Sequence, residues 1–335
     1  MQRRHLLVAT GMAAAAGSLL PRRAARAQRP AVMRLSHQFP PTHHIARGLA
    51  AFAEAVKQRS GGTVEVQVFP AEQLARAGEN FPGVARGAFE AACAVNFQWG
   101  NTLPEMSATT IPYYITDLAR LRKFPGSEAA KFLEAQLEKR AVRNLAWLYT
   151  TRLSIFTSGR RPLVALEDFR GVKIRGLNPL TDHALSAVGA APSAMPGPEV
   201  PQALQSGVLD AGLTDLSAAV SRRFYEIQKF GTIAPWFSVF SHVYVNPRWW
   251  NGLTAEQRGA IEAAARQAEQ DQFAVTEETA ASAAAELRAK GMTIHEQTPA
   301  ESEAWKAAMQ PPVIQAFLRQ APEGGRRILD LLGAL

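Results

Sequence analysis

The sequence predicts an α/β protein of two domains, on three observations. An apolar run, an amphipathic segment and an alternating run follow one another near the start, as strand, helix and strand do in a βαβ unit. About 308 residues remain once the leader is set aside, enough for two cores. A long Ala/Glu/Arg/Gln segment after Thr254 exceeds a normal globular helix and is expected to run from one domain to the other.

The leader comes first. Residues 1–27 carry a basic head, an apolar run to Leu20 and Ala25-Arg26-Ala27, the pattern of a secretory signal cleaved after Ala27. Arg3-Arg4 before Leu6-Leu7 also suits a twin-arginine signal, so Sec and twin-arginine export both stay open. The apolar run is too short to span a membrane. Cleavage removes five arginines and no acid, so the formal charge falls from +8 to +3. The high pI then says little about nucleic acid, and no basic block interleaved with aromatics supports that partner. Cys93 is the single cysteine, which excludes an internal disulfide, and its apolar surroundings read as core.

The elements follow in order. Met33–Ser36 reads as a strand. Thr42 is the expected N-cap of a helix carrying Ile45, Leu49, Phe52 and Val56 at helical spacing, and Gly61-Gly62 ends it. Val64, Val66 and Val68 alternate along the next strand. Phe89–Val95, Ala146–Thr157 and Val172–Arg175 are further strands, the second a long single one. Thr181–Val188 and Val200–Ser206 read as helices, and the long helix reaches Lys290. A parallel sheet with a right-handed crossover follows, with ligands expected beyond the carboxyl ends of its strands.

Arg175 stands out in that frame. It ends the V-K-I-R strand just where a helix begins, and a guanidinium there offers the planar fork that fits a carboxylate. No G-x-S-x-G, Walker loop or strand-borne G-x-G-x-x-G accompanies it, and Ser158-Gly159 has no evident histidine partner, so the inventory points away from an enzyme and needs no cofactor. His43 and His44, as helix neighbours, would point about 100° apart and share no metal, and His37, His183, His242 and His295 are scattered. Phe97 and Trp99, after the 89–95 strand, and Trp236 and Phe237, after Pro235, are candidate pocket walls.

Several runs carry a resemblance: V-F-P-A-E-Q-L from Val68, L-P-E-M from Leu103, I-P-Y-Y from Ile111, L-E-D-F-R-G-V-K-I-R from Leu166, E-V-P-Q-A-L-Q-S-G-V-L-D from Glu199, F-Y-E-I-Q-K-F from Phe224 and N-P-R-W-W-N-G-L from Asn246. In this order and spacing the chain resembles the DctP-type periplasmic solute-binding proteins of tripartite ATP-independent periplasmic (TRAP) transporters. The resemblance implies a two-lobed, type II-like binding protein with hinge strands. One lobe would comprise residues 28–151 and about 241–275, the other 152–240 and about 276–335. It implies a monomer that captures an organic anion in the periplasm and delivers it to small and large permease subunits. By the same resemblance Arg175 clamps the carboxylate, Gln38, Gln73, Asn96 and Thr214 are polar contacts, and Phe97 and Trp236 are walls.

The chain also departs from the pattern. Ser154 stands where another arginine is common, with Arg152 two residues earlier on what would be the same strand face. Thr214 replaces a common asparagine and Asp215 adds a charge beside it. Gly197 takes a position that is often aromatic, and Arg76 one that is often small or acidic. Arg76, Arg152 and Arg175 together would suit a second anionic group. Two rival readings share the scaffold: a receptor that presents its ligand to a sensor kinase, and a periplasmic enzyme.

Overall fold

The structure is a computed structural model that describes residues 29–335, so the expected leader lies outside the described residues. Its eleven strands are β1 (Ala31–His37), β2 (Val64–Phe69), β3 (Ala91–Val95), β4 (Arg143–Thr151), β5 (Ser154–Ser158), β6 (Lys173–Gly176), β7 (Ala191–Ala194), β8 (Ala211–Asp215), β9 (Phe230–Ala234), β10 (Val239–Val245) and β11 (Thr293–Glu296). They form two sheets, in the orders β2-β1-β3-β10-β4 and β11-β9-β5-β8-β6-β7.

The βαβ unit is present. The His44–Arg59 helix buries Ile45, Leu49, Phe52 and Val56, and β1 then pairs parallel with β2. Gly61 and Gly62 both have positive φ, the left-handed conformation that lets the chain leave the helix without a Cβ clash. Two local expectations are corrected here. The cap is His43 rather than Thr42, with an extended backbone and a ring Nδ1 that accepts from the Ile45 N–H at 3.2 Å. Because His43 stands before the helix, helical spacing does not separate it from His44. The two rings stack at 4.4 Å.

A larger correction concerns residues 146–157. They form two strands, not one, and the strands belong to different sheets. The chain turns at Arg152-Leu153, where the Thr151 hydroxyl donates to the Leu153 carbonyl at 2.6 Å. It returns through residues 235–238. Thr151 pairs with Val239 in the first sheet and Ser154 with Ala234 in the second, so the outward and return crossings run side by side. Both sheets are mixed rather than purely parallel, because β10 runs antiparallel to β3 and β4, and β5 antiparallel to β8 and β9.

The long helix is Ala255–Ala289, opened by a Thr254–Gln257 capping box. It packs on β4 and the His44–Arg59 helix at one end, and on the Leu216–Ser221 helix and β11 at the other, as expected of an element that bridges both sheets. Pro299–Gln320 then covers the second sheet. Its Trp305 meets Phe156 and Phe169 edge-on at 5.0 and 4.9 Å, and its indole N–H donates to the Val164 carbonyl at 2.8 Å. Edge-to-face pairs of this kind add about 0.5–1.5 kcal/mol each beyond their burial.

Candidate functional site

Between the two sheets lies a cavity of about 30 Å³, room for about one water. Larger hollows lie elsewhere, among them one of about 550 Å³ between the His44–Arg59 and Ala255–Ala289 helices. The small cavity is nevertheless the candidate site, because convergent polar groups and apolar walls meet there. Phe39, Val95, Phe97, Phe237 and Val239 supply an apolar wall on the first-sheet side. Arg175, Thr214, Asp215 and Arg222 face them from the second.

The local sequence explains this arrangement. Arg175 sits in β6, whose neighbours β7 and β8 run parallel to it, so their carboxyl ends open on the same side. Its side chain is 3% exposed. Nη1 donates to the Leu213 carbonyl at 2.6 Å, while Nε and Nη2 both donate to the Met195 carbonyl at 3.2 Å. These bonds use three of the five guanidinium N–H groups and leave two for a ligand. Burial is the main force lowering the Arg175 pKa, to about 9, and Arg222 pushes in the same direction while Asp215 and Asp182 oppose. The group stays cationic at neutral pH, but its charge is costly without an anion beside it.

Asp215 ends β8 and caps the Leu216–Ser221 helix, accepting from the Ala218 N–H at 2.8 Å. Burial alone would raise its pKa, but His43 and that N–H outweigh burial and hold the carboxyl well below the usual range. His43 Nε2 lies 3.5 Å from Asp215 Oδ1. Since His43 Nδ1 is the helix-cap acceptor, the neutral ring carries its proton on Nε2 and points it at the carboxylate. Burial also depresses the His43 pKa, with Asp215 partly opposing.

The structure brings only some of the sequence candidates together. Arg175, Thr214, Gln38 and Phe97 line the cavity, with the Gln38 side-chain Oε1 already accepting from Gln98 Nε2 at 2.8 Å. Arg152 does not line it. The break at Arg152-Leu153 interrupts strand alternation, and its guanidinium pairs with Glu277 of the long helix at 2.8 Å. Gln73 and Arg76 are exposed on the loop after β2 and do not line it either. Asn96 turns away, its amide donating to the Met106 carbonyl at 2.7 Å and to the Thr109 hydroxyl at 2.8 Å. Trp236 faces the core against Phe156, and its indole N–H points at Met309 Sδ at 3.1 Å. The next residue, Phe237, faces the cavity, as alternation along an extended segment requires.

Ser154 donates to the Ala234 carbonyl at 2.9 Å and so spends its hydroxyl within the sheet. Arg222 and Phe39 are cavity residues that the sequence reading missed. Arg222 lies beside the more exposed Arg223 in S-R-R-F-Y, and nothing in that run separates a cleft arginine from a surface one. Among the described residues no group of three or more His, Cys, Asp or Glu is placed to hold a metal ion, and no helix is long and apolar enough to cross a membrane.

Comparison with known proteins agrees with this architecture. Over 285 residues the chain is 29% identical to the C4-dicarboxylate-binding periplasmic protein DctP of Rhodobacter capsulatus, covering 84% of this chain and 85% of that one. It is 25% identical over 301 residues to the 2,3-diketo-L-gulonate-binding periplasmic protein YiaO of Escherichia coli, covering 88% and 87%. A TRAP periplasmic solute-binding protein from Desulfovibrio salexigens, solved with bound orotic acid, superposes with a TM-score of 0.86 at 25% identity, over 91% of this chain and 98% of that one. Residues 35–320 match the DctP family, and the chain belongs to it: a bacterial extracellular solute-binding protein of family 7.

Proposed function

We propose that this protein captures a small organic carboxylate between its lobes and delivers it to the membrane subunits of a TRAP-type permease. Arg175 is the observation that carries the reading. It is a buried guanidinium, held by two backbone carbonyls, with two N–H groups left and an apolar wall opposite. The relatives' names mention C4-dicarboxylates and 2,3-diketo-L-gulonate, and one relative holds orotic acid. Those solutes share a carboxylate and differ elsewhere, so the carboxylate is what carries over. Thr214, Gln38 and Phe97 complete the contacts of the ligand.

Export, cleavage after Ala27 and residence in the periplasm fit this role, as does action as a monomer. Residues 28–151 with about 241–275 would move against 152–240 with about 276–335, pivoting where the chain crosses between the sheets. A ligand drives such closure only through better contacts in the closed state.

Calorimetry with succinate, orotate, pyroglutamate and D-glucuronate tests the proposal. Arg175→Ala is expected to cost about 2–5 kcal/mol of binding for any of these acids that binds, because a desolvated carboxylate loses its partner. Unchanged affinity in that variant would remove the carboxylate clamp from the site.

A further inference from the structure

We infer that Arg222 is a second cationic anchor for the same organic anion, and that residue 197 is a glycine because the Arg222 guanidinium occupies the space a side chain there would need. This inference rests on the cleft being a carboxylate site.

Gly197 opens a short turn, residues Gly197–Glu199, before the Val200–Gln205 helix. It is not among the glycines of positive φ, so conformational freedom is not what the position needs. Space is. A Cβ built at Gly197 would lie 2.7 Å from Arg222 Nη1, 2.8 Å from Nη2 and 2.9 Å from Cζ, closer than real Cβ atoms approach their neighbours. Any other residue at 197 would displace the guanidinium.

Arg222 follows the Leu216–Ser221 helix, where its backbone N–H donates to the Ala218 carbonyl at 2.9 Å. From there its side chain reaches the cavity that Arg175 also lines. Its Nη2 is buried and has no hydrogen-bond acceptor among the described residues. Asp215 and Glu72 supply opposite charge nearby. Asp215, however, gives Oδ1 to the Ala218 N–H, with His43 Nε2 3.5 Å away, and hydrogen-bonds neither arginine among the described residues. A buried guanidinium and a partly buried one facing one small cavity repel each other. An acid oxygen placed between them meets the free N–H groups of both and removes that repulsion.

The test uses the mature full-length protein, with succinate, orotate, pyroglutamate and D-glucuronate as probes and succinamide as an uncharged control. Calorimetry compares wild type with Arg222→Ala, Arg222→Lys and Gly197→Ala, and melting curves without acid check folding. For whichever acid the wild type binds most tightly, Arg222→Ala is expected to weaken binding about tenfold or more, the range for losing a hydrogen bond to a charged group. Arg222→Lys should restore part of that loss, and Gly197→Ala should weaken binding comparably. Succinamide should show no dependence on Arg222. If Arg222→Ala stays within about twofold of wild type for an acid that Arg175→Ala no longer binds, Arg222 is no anchor and the proposed function stands. If wild type binds none of the four acids, the proposed function fails and this inference goes with it. If Arg222→Ala does not fold, Gly197→Ala decides on the same criterion.

Discussion

His43 Nε2 and Asp215 Oδ1 lie 3.5 Å apart, although His43 precedes the first helix of one lobe and Asp215 ends a strand of the other. The contact closes across the cleft beside the two arginines. His43→Asn keeps a good helix cap but shortens the reach. The variant should favour the open form by up to about 1 kcal/mol, roughly a fivefold shift in population. Small-angle scattering without ligand should give a larger radius of gyration than wild type. Identical profiles would show that the contact does not hold the lobes together.

Arg175→Lys separates charge from geometry. Lysine keeps the cation but cannot donate to Met195 and Leu213 while presenting a planar fork to a carboxylate. Its affinity for a bound acid should fall by at least about tenfold. Near-wild-type binding would mean that a point charge suffices at this position.

Buried neutral histidines set the acid limit of the fold. Burial lowers the pKa of His37 to about 4 and those of His44 and His242 to about 3. His242 Nε2 accepts from the Trp99 indole N–H at 2.7 Å, so its proton sits on Nδ1, 3.0 Å from the Asn144 side-chain Oδ1. Each ring stays neutral in the folded state at pH 5, whereas the unfolded chain binds a proton below about 6.5. Stability is therefore fully present above about pH 6.5 and is lost as pH falls toward 4, by about 2 kcal/mol per histidine at pH 5. Denaturant midpoints at pH 7.5 and 5.0 check this, and equal midpoints would contradict it.

Glu269 works in the opposite direction. It accepts from the Trp147 backbone N–H at 2.6 Å, and burial pushes its pKa up to about 7. The cost of its charge is fully expressed only above pH 7 and disappears as the pH falls and the folded state takes up the proton. Glu269→Gln keeps a carbonyl acceptor without the charge. The variant should be more stable than wild type by on the order of 1 kcal/mol at pH 8, with a smaller gain at pH 5. A pH-independent difference would place its cause in packing.

Local pattern made the βαβ unit, the Lys173–Gly176 strand and the long helix legible in the sequence, because each has a clear period and a cap or stop signal. The crossing at Arg152-Leu153 was hidden by β-branched and aromatic residues on both sides, which read as one strand. That concealment carried Arg152 into the expected site, since strand alternation appeared to continue through it. Trp236 and Phe237 could not be told apart by composition, and only the phase of the extended segment decides which one meets the cavity. Arg222 left a single trace in the sequence, the glycine at 197, and that trace has meaning only once the two positions are known to touch.

A cavity with room for about one water has a kinetic consequence. No organic acid fits the cavity as it stands, so the site must widen before one can bind. At low concentration the observed association rate should rise in proportion to the acid. At high concentration it should level off at the opening rate, a first-order constant that belongs to the protein alone and is the same for every acid it accepts.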